Sequence, residues 1–120
     1  MKLKDLLEKI NDVPLNESLT KRIEARYKTK LSDEIKKIVS LSQETVFYED
    51  RVLLRGLSNL EILNATEDLS VDFVGKSLLP LFDVGDNDFI SYDFSENCWY
   101  MFNIVDEVKF KKASSIFSYL

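Results

Sequence analysis

Apolar positions recur at helical spacing in the first third of the chain and at a two-residue period in much of the remainder. Leu3, Leu6, Leu7 and Ile10 form the first such series, and Pro14 places the end of that helix before it. Leu19, Ile23 and Tyr27 share one face of a second helix, for which Asn16 or Ser18 offers an N-cap. Lys28, Thr29 and Lys30 form a polar break. Ser32, followed by Asp33 and Glu34, then reads as a third helix start with its acids at the positive end of the dipole. Ile35, Ile38, Val39 and Ser42 line one side of that helix.

After Gln43 the pattern becomes that of strands. Thr45 to Tyr48 and Arg51 to Leu54 are rich in branched and aromatic residues, and Glu49-Asp50 between them predicts a tight hairpin. Asn59 to Leu63 is read as either one helical turn or a loop, and Leu69 to Val74 alternates too poorly for an assignment. Leu78 to Phe82 is an apolar run, Gly85-Asp86-Asn87-Asp88 is turn chemistry, and Ile90, Tyr92 and Phe94 fall on one pleat face of the next strand.

A further turn at Ser95-Glu96-Asn97 leads into a strand from Cys98 to Val105 that is apolar on both faces, the pattern of a central, helix-covered strand. Phe110, Ala113, Phe117 and Leu120 then fit the inward face of a closing helix, with Lys109, Lys111 and Lys112 as its solvated edge. The predicted fold is α+β, one domain over residues 1–120, with N-terminal helices and a C-terminal helix packed on a mainly antiparallel β-sheet. Val13 to Asn16 and Thr66 to Ser70 are the expected flexible places, since polar residues cluster there without sustained periodicity.

The motifs of this chain resemble those of the SUKH superfamily, the Smi/Knr-type domain found in many bacterial immunity proteins. The likeness rests first on Leu78-Leu79-Pro80-Leu81-Phe82-Asp83-Val84-Gly85-Asp86-Asn87-Asp88-Phe89-Ile90-Ser91-Tyr92-Asp93-Phe94, similar to the family's central strand-turn-strand. Ile23 to Tyr27 with Leu31 to Ile38 is similar to its first core helix, connection and next helix. Leu57-Ser58-Asn59-Leu60-Glu61-Ile62-Leu63 is similar to its leucine-serine-acid-isoleucine element, and Cys98 to Phe102 and Ser114 to Leu120 to its late strand and closing helix. Ser32 stands where the family usually has proline, and Ser42-Gln43-Glu44 where it usually has an asparagine-glycine-glycine turn. These are patterns of core and turn residues, which bear on fold more than on chemistry.

Charge sharpens this picture. Met1 to Arg55 carries twelve bases and ten acids, Gly56 to Val108 one base and eleven acids, and three lysines follow. The later part of the chain therefore has a concentrated negative field, which repels nucleic acid and anionic membrane and can steer a basic protein partner. No apolar run reaches bilayer length, and the start Met1-Lys2-Leu3-Lys4-Asp5 lacks the pattern of a secretory signal, so cytoplasmic residence is expected.

The chain has no histidine, which removes the commonest general base and metal ligand. Its one cysteine, Cys98, lies between Asn97 and Trp99 with no adjacent cation to activate it, and is read as a buried thiol. Gly56, Gly75 and Gly85 are too scattered to cradle a phosphate. Asp83, Asp86, Asp88 and Asp93 depart from the calcium-loop rule, because Gly85 precedes the acids and Ile90 occupies the next alternate site; a structural turn is the stronger reading. No cofactor, metal or catalytic residue is therefore assigned.

Function is left to surface and resemblance. The resemblance implies an immunity protein that binds a cognate toxin domain and blocks its active site or substrate channel without catalysis of its own. The acidic field suits a basic, nuclease-type toxin. The contact is placed on the turn and sheet face bearing Asp86, Asn87, Asp88, Asp93, Glu96 and Trp99. Trp99, Tyr92 and Tyr100 are core or sheet residues by default, and Trp99 is retained as the aromatic anchor. Smi/Knr-type domains also occur in cell-wall and signalling regulators, so an intracellular adaptor is the alternative.

Overall fold

The structure, a computed structural model, describes residues 5, 8–12, 14–43, 45–49 and 52–119; at Asn11, Ser42, Phe47, Glu49, Val52 and Phe117 it describes the backbone alone. Of the first expected helix, Leu3, Leu6 and Leu7 lie outside the described residues. Ile10 is buried and opens a 3₁₀ turn, Ile10–Asp12.

Helix α1, Glu17–Tyr27, starts where Asn16 Oδ1 accepts the Leu19 N–H at 3.1 Å. It ends at Lys28, whose left-handed backbone (φ 56) lets its N–H reach the Glu24 carbonyl. Leu19, Ile23 and Tyr27 are buried on one face, as their spacing predicts. Helix α2, Asp33–Ser42, is capped by Ser32 Oγ, which accepts the Ile35 N–H at 3.3 Å. Ile35, Ile38 and Val39 are its buried stripe.

Strands β1, Val46–Glu49, and β2, Val52–Gly56, form the expected hairpin; the Asp50-Arg51 turn lies outside the described residues. Asn59–Leu63 is helical (α3), because Ser58 and Glu61 make a capping box: Ser58 Oγ accepts the Glu61 N–H at 3.2 Å and Glu61 Oε1 accepts the Ser58 N–H at 3.0 Å. Helix α4, Ala65–Leu69, covers most of Thr66 to Ser70 and ends at Ser70 in the left-handed region. Strands β3, Leu78–Gly85, β4, Asp88–Asp93, β5, Cys98–Asn103, and β6, Val108–Ala113, follow.

All six strands join one antiparallel sheet in sequence order, β1 to β6, so every connection but one is a hairpin and only β2 to β3 detours through α3 and α4. Consecutive residues Leu78 to Phe82 are buried, which requires that both pleat faces of β3 be covered. Helix α3 packs on β3, α2 on β2, and α1 on both α2 and α3. Tyr27 ties the helices together, because its buried hydroxyl donates to the Ile62 carbonyl at 2.6 Å. Removing only that donor with Tyr27→Phe leaves a carbonyl of α3 without it and is expected to cost about 1 kcal/mol in a denaturant titration.

The structure is thus α+β with an antiparallel sheet, but two expectations at the C-terminal end are corrected. The strand beginning at Cys98 stops at Asn103 rather than Val105, and it lies next to the edge strand, with β3 and β4 more central. In place of a closing helix over Phe110 and Ala113 stands the strand β6, followed by a single 3₁₀ turn, Ile116–Tyr119. The cause is a β-bulge. Met101 pairs Phe110 but Trp99 pairs Ala113, so β6 carries one extra residue, accommodated by Lys111 in the left-handed region (φ 52). The bulge turns the two-residue period of a strand into the three-residue step from Phe110 to Ala113, which mimics a helical face.

Among the described residues no helix is long and apolar enough to cross a membrane.

Candidate functional site

The six residues assigned to partner binding divide among three environments. Asp86 and Asn87 are the two central residues of the β3–β4 hairpin, both with positive φ (54 and 65), closed by the Gly85–Asp88 pair. That is the two-residue turn whose twist matches an antiparallel pair, and short polar residues tolerate its backbone. Gly85, with φ 88, gives the turn its entry. Its N–H donates to Asp83 Oδ1 at 2.9 Å.

This turn is stitched to the next one on the same end of the sheet. Asn103 Nδ2 donates to Asp88 Oδ1 at 2.9 Å, and the Ile104 N–H donates to the Asn87 carbonyl at 3.0 Å. The Asn103 side-chain oxygen accepts the N–H groups of Val105 and Asp106 at 3.0 and 2.9 Å, which folds the β5–β6 connection back on itself. Asp86, Asn87, Asp106 and Glu107 are exposed and Asp88 half-buried, so the two turns form one acidic rim on a braced backbone. Lys76 partly offsets it, its Nζ lying 3.5 Å from Glu107.

Asp93 and Glu96 belong to the β4–β5 turn, at the other end of β4. Asp93 is 1% exposed. Its Oδ1 accepts the Ser95 N–H and hydroxyl at 2.9 and 2.7 Å and the Glu96 N–H at 2.9 Å, while Oδ2 accepts from Lys109 Nζ at 3.0 Å. Burial disfavours its charge, but these donors outweigh burial and hold its pKa down to about 2. Glu96 is exposed and also bonds Lys109 Nζ, at 3.0 Å, with Lys112 Nζ 3.7 Å away. The lysines read as a helix edge therefore lie on β6, where Lys109 and Lys112 neutralise this turn.

Trp99 is 2% exposed and packs edge-on against Tyr92 with ring centroids 5.3 Å apart. Its default reading as a core residue is the one its position matches, rather than that of an aromatic anchor, and neither Trp99 nor Asp93 presents a side chain to a partner. Asp106 and Glu107 escape the sequence pattern because its alternation carries the preceding strand through Val105, whereas the strand ends at Asn103. The signal was available in Asn103, three residues before an acid pair, a spacing at which an asparagine side chain can accept backbone N–H groups and start a turn.

Two other features are structural. Arg55 makes two 2.8 Å bonds to Glu61 and one of 3.4 Å to Asp83, joining β2, α3 and β3. The Arg55 hydrogen bond is the main cause that lowers the Glu61 pKa to about 2. Cys98 is a buried free thiol. Among the described residues, no group of three acidic or cysteine side chains is arranged to hold a metal ion.

No family model matches this sequence, and neither a curated protein nor a solved structure does.

Proposed function

We propose that this chain is a SUKH-like immunity protein that binds a cognate bacterial toxin domain and neutralises it by covering its active site or substrate channel, with no catalysis of its own. One observation carries this reading: the exposed carboxylates Asp86, Asp106 and Glu107, with Asp88 beside them, are concentrated on two turns locked together by Asn103 and Asn87. A braced acidic surface approaches a basic protein without the entropic cost of ordering loops. Toxins that act on nucleic acid are basic around the substrate groove, which makes a nuclease-type domain the best-matched target. The motif resemblance of Leu78 to Phe94 supplies the immunity class.

The contact surface proposed is accordingly the rim of Asp86, Asn87, Asp88, Asp106 and Glu107, without the buried Asp93 and Trp99 and without Glu96, which lies at the other end of β4 and is paired with Lys109 and Lys112. Co-expression with a toxin encoded in an adjacent reading frame tests the function: growth is rescued and the two proteins copurify. Loss of rescue, or rescue without a complex, overturns it and favours the adaptor reading. Replacing Asp86, Asp88 and Asp106 together with Asn is expected to slow association by roughly tenfold at low salt and to flatten its salt dependence, as read by stopped-flow or surface binding. Unchanged association kinetics in a variant that melts like the parent would remove the rim from the interface.

A further inference from the structure

On the sheet lies an open groove of about 520 Å³, far from the acidic rim in its chemistry. Ile90 and Met101, paired across β4 and β5, stand on one face of the sheet and are joined in lining it by Val84 of β3, Leu54 of β2 and Ala113 of β6. Leu53, 60% exposed, borders it, as do Ser118 and Tyr119 of the C-terminal 3₁₀ turn. The remaining lining residues are Lys111 and Lys112, so among the described residues the groove is lined by two cations and no carboxylate.

The lysine rim is fixed by the fold. Lys111 sits at the bulge of β6, and its carbonyl accepts the Tyr119 hydroxyl at 2.6 Å, which anchors the 3₁₀ turn against the strand. Burial, followed by Cys98 and Tyr100, pushes the Tyr119 phenol up to about 12, so the groove gains no negative charge at neutral pH. Lys112 lies 3.7 Å from Glu96, whereas Lys111 has no carboxylate within ion-pair distance among the described residues.

We infer that this groove is a binding site for a small apolar carboxylate, an acyl chain lying over Leu53, Val84 and Met101 above the fully buried Ile90, with its carboxylate at Lys111. The volume is within the range of small-ligand sites, and an apolar floor with a few placed polar groups is their usual composition. Methionine on the floor lets the site adapt to a flexible chain. Charge complementarity selects the anion: a neutral chain of equal length gains the same apolar burial but nothing from Lys111.

The test uses decanoate, below its micelle concentration, and the full chain labelled at its methionine methyl groups. The chain has two methionines, so the Met101 signal is assigned by comparison with Met1. Decanoate is expected to move the Met101 methyl resonance saturably, and decanol to bind roughly fivefold more weakly, the scale of one exposed ion pair. Changing Lys111→Gln and Lys112→Gln together is expected to bring decanoate down to the level of decanol. The decanoate–decanol comparison on the unaltered chain decides the matter even where the variant folds poorly. No Met101 shift, a shift that does not saturate, or equal affinity for decanol overturns the inference. So does tighter binding of a peptide alternating leucine and glutamate, which makes the groove a protein-segment site.

Discussion

Phe102→Ala is expected to cost about 3–5 kcal/mol, the range for emptying an aromatic site in a packed core. The side chain is 1% exposed and meets Phe73 edge-on, with ring centroids 5.7 Å apart at 66°. Phe102 pairs Phe89 on one side and Lys109 on the other, so its ring is held between β4 and β6 and beneath the segment that leads into β3. That segment is itself tied down, since the Leu78 N–H donates to the Phe73 carbonyl at 3.0 Å. Neighbours fixed in this way cannot collapse into the space left by the ring, which places the cost in the aromatic range rather than at that of a relaxed cavity. Domains of this size are stable by roughly 5–15 kcal/mol, so the variant is left marginal or unfolded. A thermal melt is expected to fall by about 10 °C or more. A melt equal to the parent's contradicts the packing described. A double-mutant cycle with Phe73→Ala should recover a coupling of roughly 0.5–1.5 kcal/mol, because the two rings share one contact.

Much of this arrangement is legible from short-range chemistry. Asn16 and Ser32 signal helix starts because each acts within three residues of itself, whereas the Ser58–Glu61 capping box, equally local, decides a segment that the residue pattern leaves open between a helical turn and a loop. The Gly85 to Asp88 turn is legible for the same reason: residues that accept positive φ stand where the hairpin needs them. What escapes is set by partners distant in sequence. The bulge at Lys111 is defined by its opposition to β5, and without that partner the spacing of Phe110 and Ala113 is equally that of a helix. Alternation separates Trp99 from Tyr100, but it does not say which face is covered; Trp99 is buried against Tyr92 and Tyr100 is only partly so. The same holds for the candidate site. Asp86, Asn87 and Asp88 are visible as a turn, whereas the joining of that turn to Asp106 and Glu107 depends on Asn103 reaching across the strand pair.

Asp93 is the clearest case of a role set at long range, and it yields the second large effect. In isolation it is one more acid in an acidic segment; in the fold it is a buried carboxylate organising the β4–β5 turn and holding Lys109 sixteen residues away. Asp93→Ala removes three local hydrogen bonds and an ion pair at once and is expected to destabilise by about 2–4 kcal/mol at pH 7. The upper bound is set by Lys109, which is 37% exposed and can regain water when its partner is lost. The effect must also depend on pH. Its carboxyl titrates at about 2 in the folded chain against 3.8 when unperturbed. The stabilisation is therefore complete above about pH 4 and is lost as pH falls toward 2, on the order of 2 kcal/mol in all. Glu61, also lowered to about 2, weakens the parent over part of the same range, but it does so equally in the variant. The quantity to follow is accordingly the gap in urea unfolding free energy between parent and Asp93→Ala, measured from pH 7 to pH 2. It should stay constant down to about pH 4 and then narrow; a gap of unchanged size at pH 2 would mean that Asp93 acts by shape and not by charge.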